Sequence, residues 1–189
     1  MKKTLYFNGL IVGEVESTGD HGRDLAAVRA FLDERGLRKE ISRFQATYNS
    51  AVAFASTSSY LYERDLRRAP RKGASVVPFI ANAAFAVELY IKALAQKHGV
   101  TLRGHEVVEL HKALPPAALL ELDAVSPKCA ADRRLRGKPD LSACLSQLNN
   151  AFVEWRYVFE KDRVDPIDIE PTIFVMQVLH EACGLRKDA

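Results

Sequence analysis

Cysteine is scarce in this chain of 189 residues: Cys129, Cys144 and Cys183 are odd in number and widely spaced, and no Cys-x-x-Cys pair occurs. That argues against a disulfide framework and fits free thiols in a reducing cytosol. Glycine-rich phosphate loops are missing too, since neither GxxxxGK[ST] nor GxGxxG appears, which removes the familiar nucleotide folds. There is no GxSxG, so no nucleophile elbow can be read. His180 and Cys183, three apart, could share a ligand face, but no second pair with zinc-like spacing accompanies them, and neither a metal nor a cofactor is expected. A net charge of only +3 does not by itself argue for a polyanionic partner. The N-terminal MKKTLYFNGLIVGEVE is interrupted by glycine and glutamate before a signal-peptide core can form. The uncharged run QATYNSAVAFASTSSYLY (45–62) carries too much Asn, Gln, Ser and Thr for a bilayer, so no membrane association is expected. Internal repeats and low-complexity tracts are absent.

Hydrophobic residues make up 48% of the chain and charged residues 27%, enough apolar material for one well-packed core. The pattern predicts a mainly α fold, an antiparallel bundle of about four to five helices carrying a small N-terminal β-hairpin and helix as an appendage. In the appendage (1–38), Asn8-Gly9 between two β-prone runs predicts a tight hairpin. Asp24 is the expected cap of a helix bearing Leu25, Val28 and Leu32, with Gly36 as its stop. The bundle (41–189) opens with a stripe Ile41, Phe44, Tyr48, Val52, Ala55, Tyr62 and Leu66. A second helix after Pro78 is apolar on two sides, with Phe79, Ala83, Val87, Ile91 and Leu94 on one and Phe85 and Leu89 on the other. Such a helix is central or faces a second subunit. A third is signalled by EVVELHKAL, stopped by Pro115-Pro116, with ALLELDAV as a short continuation. The fourth runs from an N-cap at Asp140 to about Asp162, Pro166 and Pro171 bracket a turn, and TIFVMQVLHEACGL forms the last. Two basic connections, RDLRRAPRKG (64–73) and DRRLRGK (132–138), read most simply as solvated loops.

Polar residues fall beside the apolar stripe of the fourth helix. Asn149, Arg156 and Glu160 span roughly a 40° arc there, and Arg156 and Glu160 have the spacing of a helical ion pair. Glu88 and Lys92 share that spacing on the second helix, next to Phe85 and Leu89. If the two helices face each other, these groups form a buried network. It either fixes helix register or serves a ligand. His105 and His111, at and within the third helix, are candidate general bases or ordinary structural histidines.

The order NAAFAVELYIKALAQKHGV, GHEVVELHKAL and FVEWRYVFE resembles the HEPN domains, whose name refers to higher eukaryotes, prokaryotes and nucleotide binding. The similarity spans about residues 41 to 183. It implies a helical bundle that forms a homodimer around a polar cleft, with a nucleotidyltransferase or an antitoxin as partner in many members. Numerous HEPN proteins are metal-independent ribonucleases that carry an Arg followed shortly by His. Here YVFEKDRVD follows Arg156 and holds no histidine. The resemblance therefore implies a non-nucleolytic member that binds a nucleotide, RNA or another anion through Asn82, Glu88, Lys92, His105, Arg156, Tyr157 and Glu160. One alternative is a ribonuclease in which His105, with Arg156, or His111 replaces the missing histidine. Another is an interaction module that docks a protein through the hairpin or the basic connections.

Overall fold

The computed structural model describes residues 1–7, 9–38, 40–132, 139–149, 151–160 and 167–184. Asn8, most of the second basic connection, Asp162 and Pro166 lie outside the described residues. The chain divides into two units, Met1–Ile41 and Ser42–Ala189.

The first unit is a hairpin with one helix. Strands β1 (Lys2–Phe7) and β2 (Leu10–Glu16) pair antiparallel, with Gly9 at φ 79° in the turn. Leu5 lies opposite Gly13 and Tyr6 opposite Ile11, so Val12 is an extra residue on β2, a bulge. Helix α1 (His21–Glu34) starts earlier than the sequence suggested. Its cap is Asp20, whose carboxylate accepts from the Arg23 N–H at 2.8 Å. Asp24 is in the first turn instead, accepting from the Ser17 hydroxyl and from the Thr18 N–H at 2.6 Å. These bonds, led by that from Ser17, hold its carboxyl down at about 2. Gly36, at φ 62°, follows the helix end as expected. Gly13 is required by packing, because a Cβ there would lie 2.5 Å from Cζ of Phe31.

The second unit is the helical bundle. Ser42 caps α2 (Arg43–Leu61), and the chain then widens into a single π turn over Tyr62–Leu66 instead of continuing as regular α-helix. Helix α3 (Val76–Lys97) starts before Pro78, which takes a first-turn position where its missing N–H costs nothing. It is the central element: Phe79, Ala83, Val87, Ile91 and Leu94 are all buried, and Phe85 on the other side meets Phe54 of α2 edge-on at 4.7 Å. Gly99, at φ 79°, terminates it. Helix α4 (Val107–Lys112) is short, whereas α5 (Pro116–Asp132) is far longer than the expected continuation and accommodates Pro127.

The expected continuous fourth helix is broken. Helix α6 (Leu141–Ser146) begins at the Asp140 cap, α7 covers Ala151–Arg156, and a 3₁₀ turn occupies Val158–Glu160. Between α6 and α7 the bonds tighten to i→i−3, from Leu148 N–H to Leu145 and from Ala151 N–H to Leu148. Two amides at this joint serve other segments: Gln147 accepts from the Asp168 N–H and Asn149 from the Val108 N–H, each at 3.2 Å. Helix α8 covers Ile169–Gly184, and Pro171 belongs to its first turn rather than to a preceding loop.

Helices α2, α7 and α8 pack on α3, and α5 and α6 complete the layer around α8. Lys97, almost fully buried, ties three helices together by reaching Glu121 of α5 at 3.0 Å and the Ala182 carbonyl of α8 at 2.9 Å. The basic connection 64–73 is organised by a buried carboxylate. Asp65 accepts from Arg64 at 2.9 Å and the Ser75 hydroxyl at 2.6 Å, with Lys72 at 3.0 Å. Arg64 above all, then Ser75, holds this carboxyl well below the usual range. Among the described residues one helical segment, Gly73–Lys97, is long and apolar enough to cross a membrane, and 56% of its 18-residue apolar stretch is buried within the protein.

Candidate functional site

The site is built outward from one flank of α3. Glu88 and Lys92 are one helical turn apart, and the ammonium donates to the carboxylate at 2.6 Å. Glu88 is 2% exposed, so it needs partners to remain ionised at tolerable cost. The second partner is His105, whose Nδ1 lies 3.1 and 3.2 Å from the two carboxylate oxygens. It comes from the loop between α3 and α4, where Gly104 at φ 99° supplies a backbone turn closed to most side chains. A carboxylate can only accept, so Nδ1 carries the proton, and Nε2 is left on the outer side of a side chain that is 69% exposed. A groove of about 670 Å³ borders this imidazole, edged by Arg103, Gly104, Glu106 and Glu109.

Asn149 joins the cluster by a different route from the expected seam. Its side chain caps the start of α4 through the Val108 N–H, three residues beyond His105. The α6–α7 joint is thereby fastened beside the imidazole loop.

Arg156 is the last residue of α7 and is exposed. Its guanidinium lies over the Phe152 ring at 4.8 Å and the Tyr157 ring at 4.7 Å. Phe152 in turn stacks on Phe85 of α3 with centroids 4.5 Å apart and planes 19° apart. Phe85 is seven residues before Lys92, on nearly the same helical azimuth and about 10 Å away along the axis. Lys92 and the ring stack beneath Arg156 thus belong to one flank of α3, not to opposite outer surfaces.

Other expected participants are placed elsewhere. The Asn82 amide is spent on the Pro78 carbonyl of its own helix at 2.6 Å. Glu160 is exposed and, among the described residues, forms no ion pair with Arg156: α7 stops at Arg156, so the four-residue spacing no longer spans one helical turn. Tyr157 is 41% exposed and leans on Phe159, itself 78% exposed. His111 is half-buried in a separate groove with Asp123 and Asp140, and its burial lowers its pKa.

The electrostatic balance follows. Lys92 is neutralised by Glu88, whereas Arg156 has no carboxylate partner among the described residues. Arg156 is therefore the exposed cation of this flank that no described carboxylate balances, and the His105 ring beside it is largely open to solvent.

A second polar constellation was not legible in the sequence. Nδ1 of His180 on α8 lies 3.1 Å from the Tyr90 hydroxyl of α3 and 3.3 Å from that of Tyr48 of α2, beneath a groove of about 430 Å³. Burial raises the pKa of Tyr90 and pushes the Cys183 thiol up to about 12. His180 and Cys183 do not form a shared ligand face: the histidine serves the tyrosines, and the thiol donates to the Tyr90 carbonyl at 3.5 Å. Among the described residues no group of three or more His, Cys, Asp or Glu side chains could hold a metal. Comparison of the chain with protein-family models, curated proteins and solved structures finds no match.

Proposed function

We propose that the α3 flank, Glu88, Lys92, His105 and Arg156, is the binding site of a HEPN-like, non-nucleolytic protein for a nucleotide, RNA or a related anion. The observation that carries this reading is Arg156: an exposed guanidinium, stacked on two aromatic rings, with no described carboxylate to neutralise it. Aromatic faces hold its plane, so its donors are preorganised for phosphate. Lys92 adds a second cation whose position is fixed by Glu88, and His105 offers a donor once Nε2 is protonated. Fluorescence anisotropy with a labelled single-stranded RNA and with a labelled adenine nucleotide tests the reading. Arg156→Ala should weaken whichever ligand binds by about tenfold, near 1.4 kcal/mol. Equal affinities for wild type and variant refute it.

One observation favours a second reading. The Glu88 carboxylate behind Nδ1 of an exposed His105 is the arrangement that orients a general base, with Nε2 able to take the proton of a ribose 2′-hydroxyl. The flanking cation would stabilise the phosphorane. The purified protein should then cut RNA without metal to give cyclic phosphate ends, and His105→Ala should abolish this. Intact RNA at high protein concentration sinks the nucleolytic version and leaves the binding version standing.

A further inference from the structure

The N-terminal unit has a structural deficit. Among its described residues none is buried, in a segment of 41 residues. A hairpin with a single helix and no interior is a marginal structure in water. Several of its large apolar side chains remain open, with Tyr6 64%, Leu10 71% and Ile11 67% exposed. Between the strands and α1 there is also an open groove of about 310 Å³, with Leu5, Val15, Leu25 and Val28 as its apolar lining and Lys3 and Asp24 among the polar residues at its border. The groove exists because α1 packs principally over β2.

The two outer edges of this hairpin are not equivalent. The β2 edge is blunted: Val12 bulges out of register, and the Arg35 guanidinium donates to its carbonyl at 2.9 Å. Both are standard ways to keep an edge strand from recruiting another chain. The β1 edge has neither device. Among the described residues its backbone has no hydrogen-bond partner beyond the β2 ladder, and it contains no bulge and no proline.

We infer that β1 pairs antiparallel with β1 of a second copy of this chain, giving a four-stranded sheet with both α1 helices on one face. The charge pattern selects this partner and orientation. In β1, KKTLYF, the lysines sit at one end and the aromatics at the other. Antiparallel pairing centred on Thr4 sets Lys2 and Lys3 of one copy opposite Tyr6 and Leu5 of the other, whereas parallel pairing would stack lysine on lysine. The two-fold axis is then perpendicular to the sheet, and the uncovered β1 strands and the Leu25–Val28 flanks meet at its centre, closing both grooves. The inference is independent of the ligand reading above, since it concerns the first unit alone.

Site-directed spin labelling of the full chain tests it. Cys129, Cys144 and Cys183 are buried, so a nitroxide enters selectively at Thr4→Cys. With strands ~4.8 Å apart and a rise of ~3.3 Å per residue, the two Thr4 Cα atoms should be about 5 Å apart and the two Glu16 Cα atoms about 20 Å apart. The label at position 4 should show strong short-range dipolar broadening that disappears on dilution with unlabelled chain. A label at Glu16→Cys should give a distinctly longer distance. Absence of coupling at position 4, or a shorter distance at position 16 than at position 4, overturns the inference.

Discussion

Replacing Lys92 with methionine keeps most of the side-chain volume but deprives Glu88 of its closest counter-charge. The carboxylate is 2% exposed and would retain only His105, whose side chain is largely in solvent. Removing one member of a buried pair costs about 3–5 kcal/mol, and because the Lys92 side chain is itself 17% exposed, water moderates this to about 2–3 kcal/mol. Glu88→Leu should cost less, about 1–2 kcal/mol, since the released ammonium can extend toward water. The double variant should recover part of the sum, with a coupling of about 1–2 kcal/mol in a double-mutant cycle. Urea unfolding followed by circular dichroism measures each step, with a lowered midpoint at unchanged slope as the expected signature. A Lys92→Met midpoint equivalent to less than about 0.5 kcal/mol of destabilisation would refute the argument, because only a solvated, weakly coupled pair behaves that way.

Other consequences are as direct. Arg156→Lys keeps the charge but loses the planar stack on Phe152 and Tyr157, so it should recover only part of the RNA or nucleotide affinity lost in Arg156→Ala when both are titrated by anisotropy. Gly13→Ala should loosen the hairpin by about 1–3 kcal/mol, read as faster amide exchange in β1 and β2, and Phe31→Leu should partly restore it by removing the ring atom in the way. Asp24 has a folded pKa depressed to about 2, against about 3.9 for an unperturbed aspartate. Its contribution is therefore present above pH ~4 and lost as pH falls through the folded value. Protection of the α1 amides should fall over that window in the wild type and be flat with pH, and lower throughout, in Asp24→Asn.

Residues whose signal is local were the legible ones. Gly36 and Gly99 mark helix ends, each with positive φ, and the two-sided apolar pattern of α3 identified the central helix because burial on both faces leaves only a narrow polar strip at Glu88 and Lys92. The pair Glu88–Lys92 was readable from spacing alone. What failed depended on tertiary partners. The fourth helix looked continuous because Leu145, Leu148 and Phe152 keep helical period, yet Gln147 and Asn149 turn their amides to the backbones of two other segments and the ladder breaks between them. The Arg156–Glu160 pairing failed with it. Asp24 was the expected cap, but Ser17 and Thr18 engage it from the preceding turn and Asp20 takes the cap position instead. The histidine–tyrosine cluster joins residues 132 and 90 positions apart, a separation that no local pattern records.

The central claim is that His105 and Arg156, brought to one flank of α3 by separate elements, serve the same anion. Side-chain ¹⁵N NMR during a titration with a short single-stranded RNA, repeated with an adenine nucleotide, addresses it most directly. The account predicts that the Nε2 signal of His105 and the guanidinium signal of Arg156 move together and saturate at one ligand concentration. Signals that stay fixed for both probes, or that move at unrelated concentrations, would contradict it.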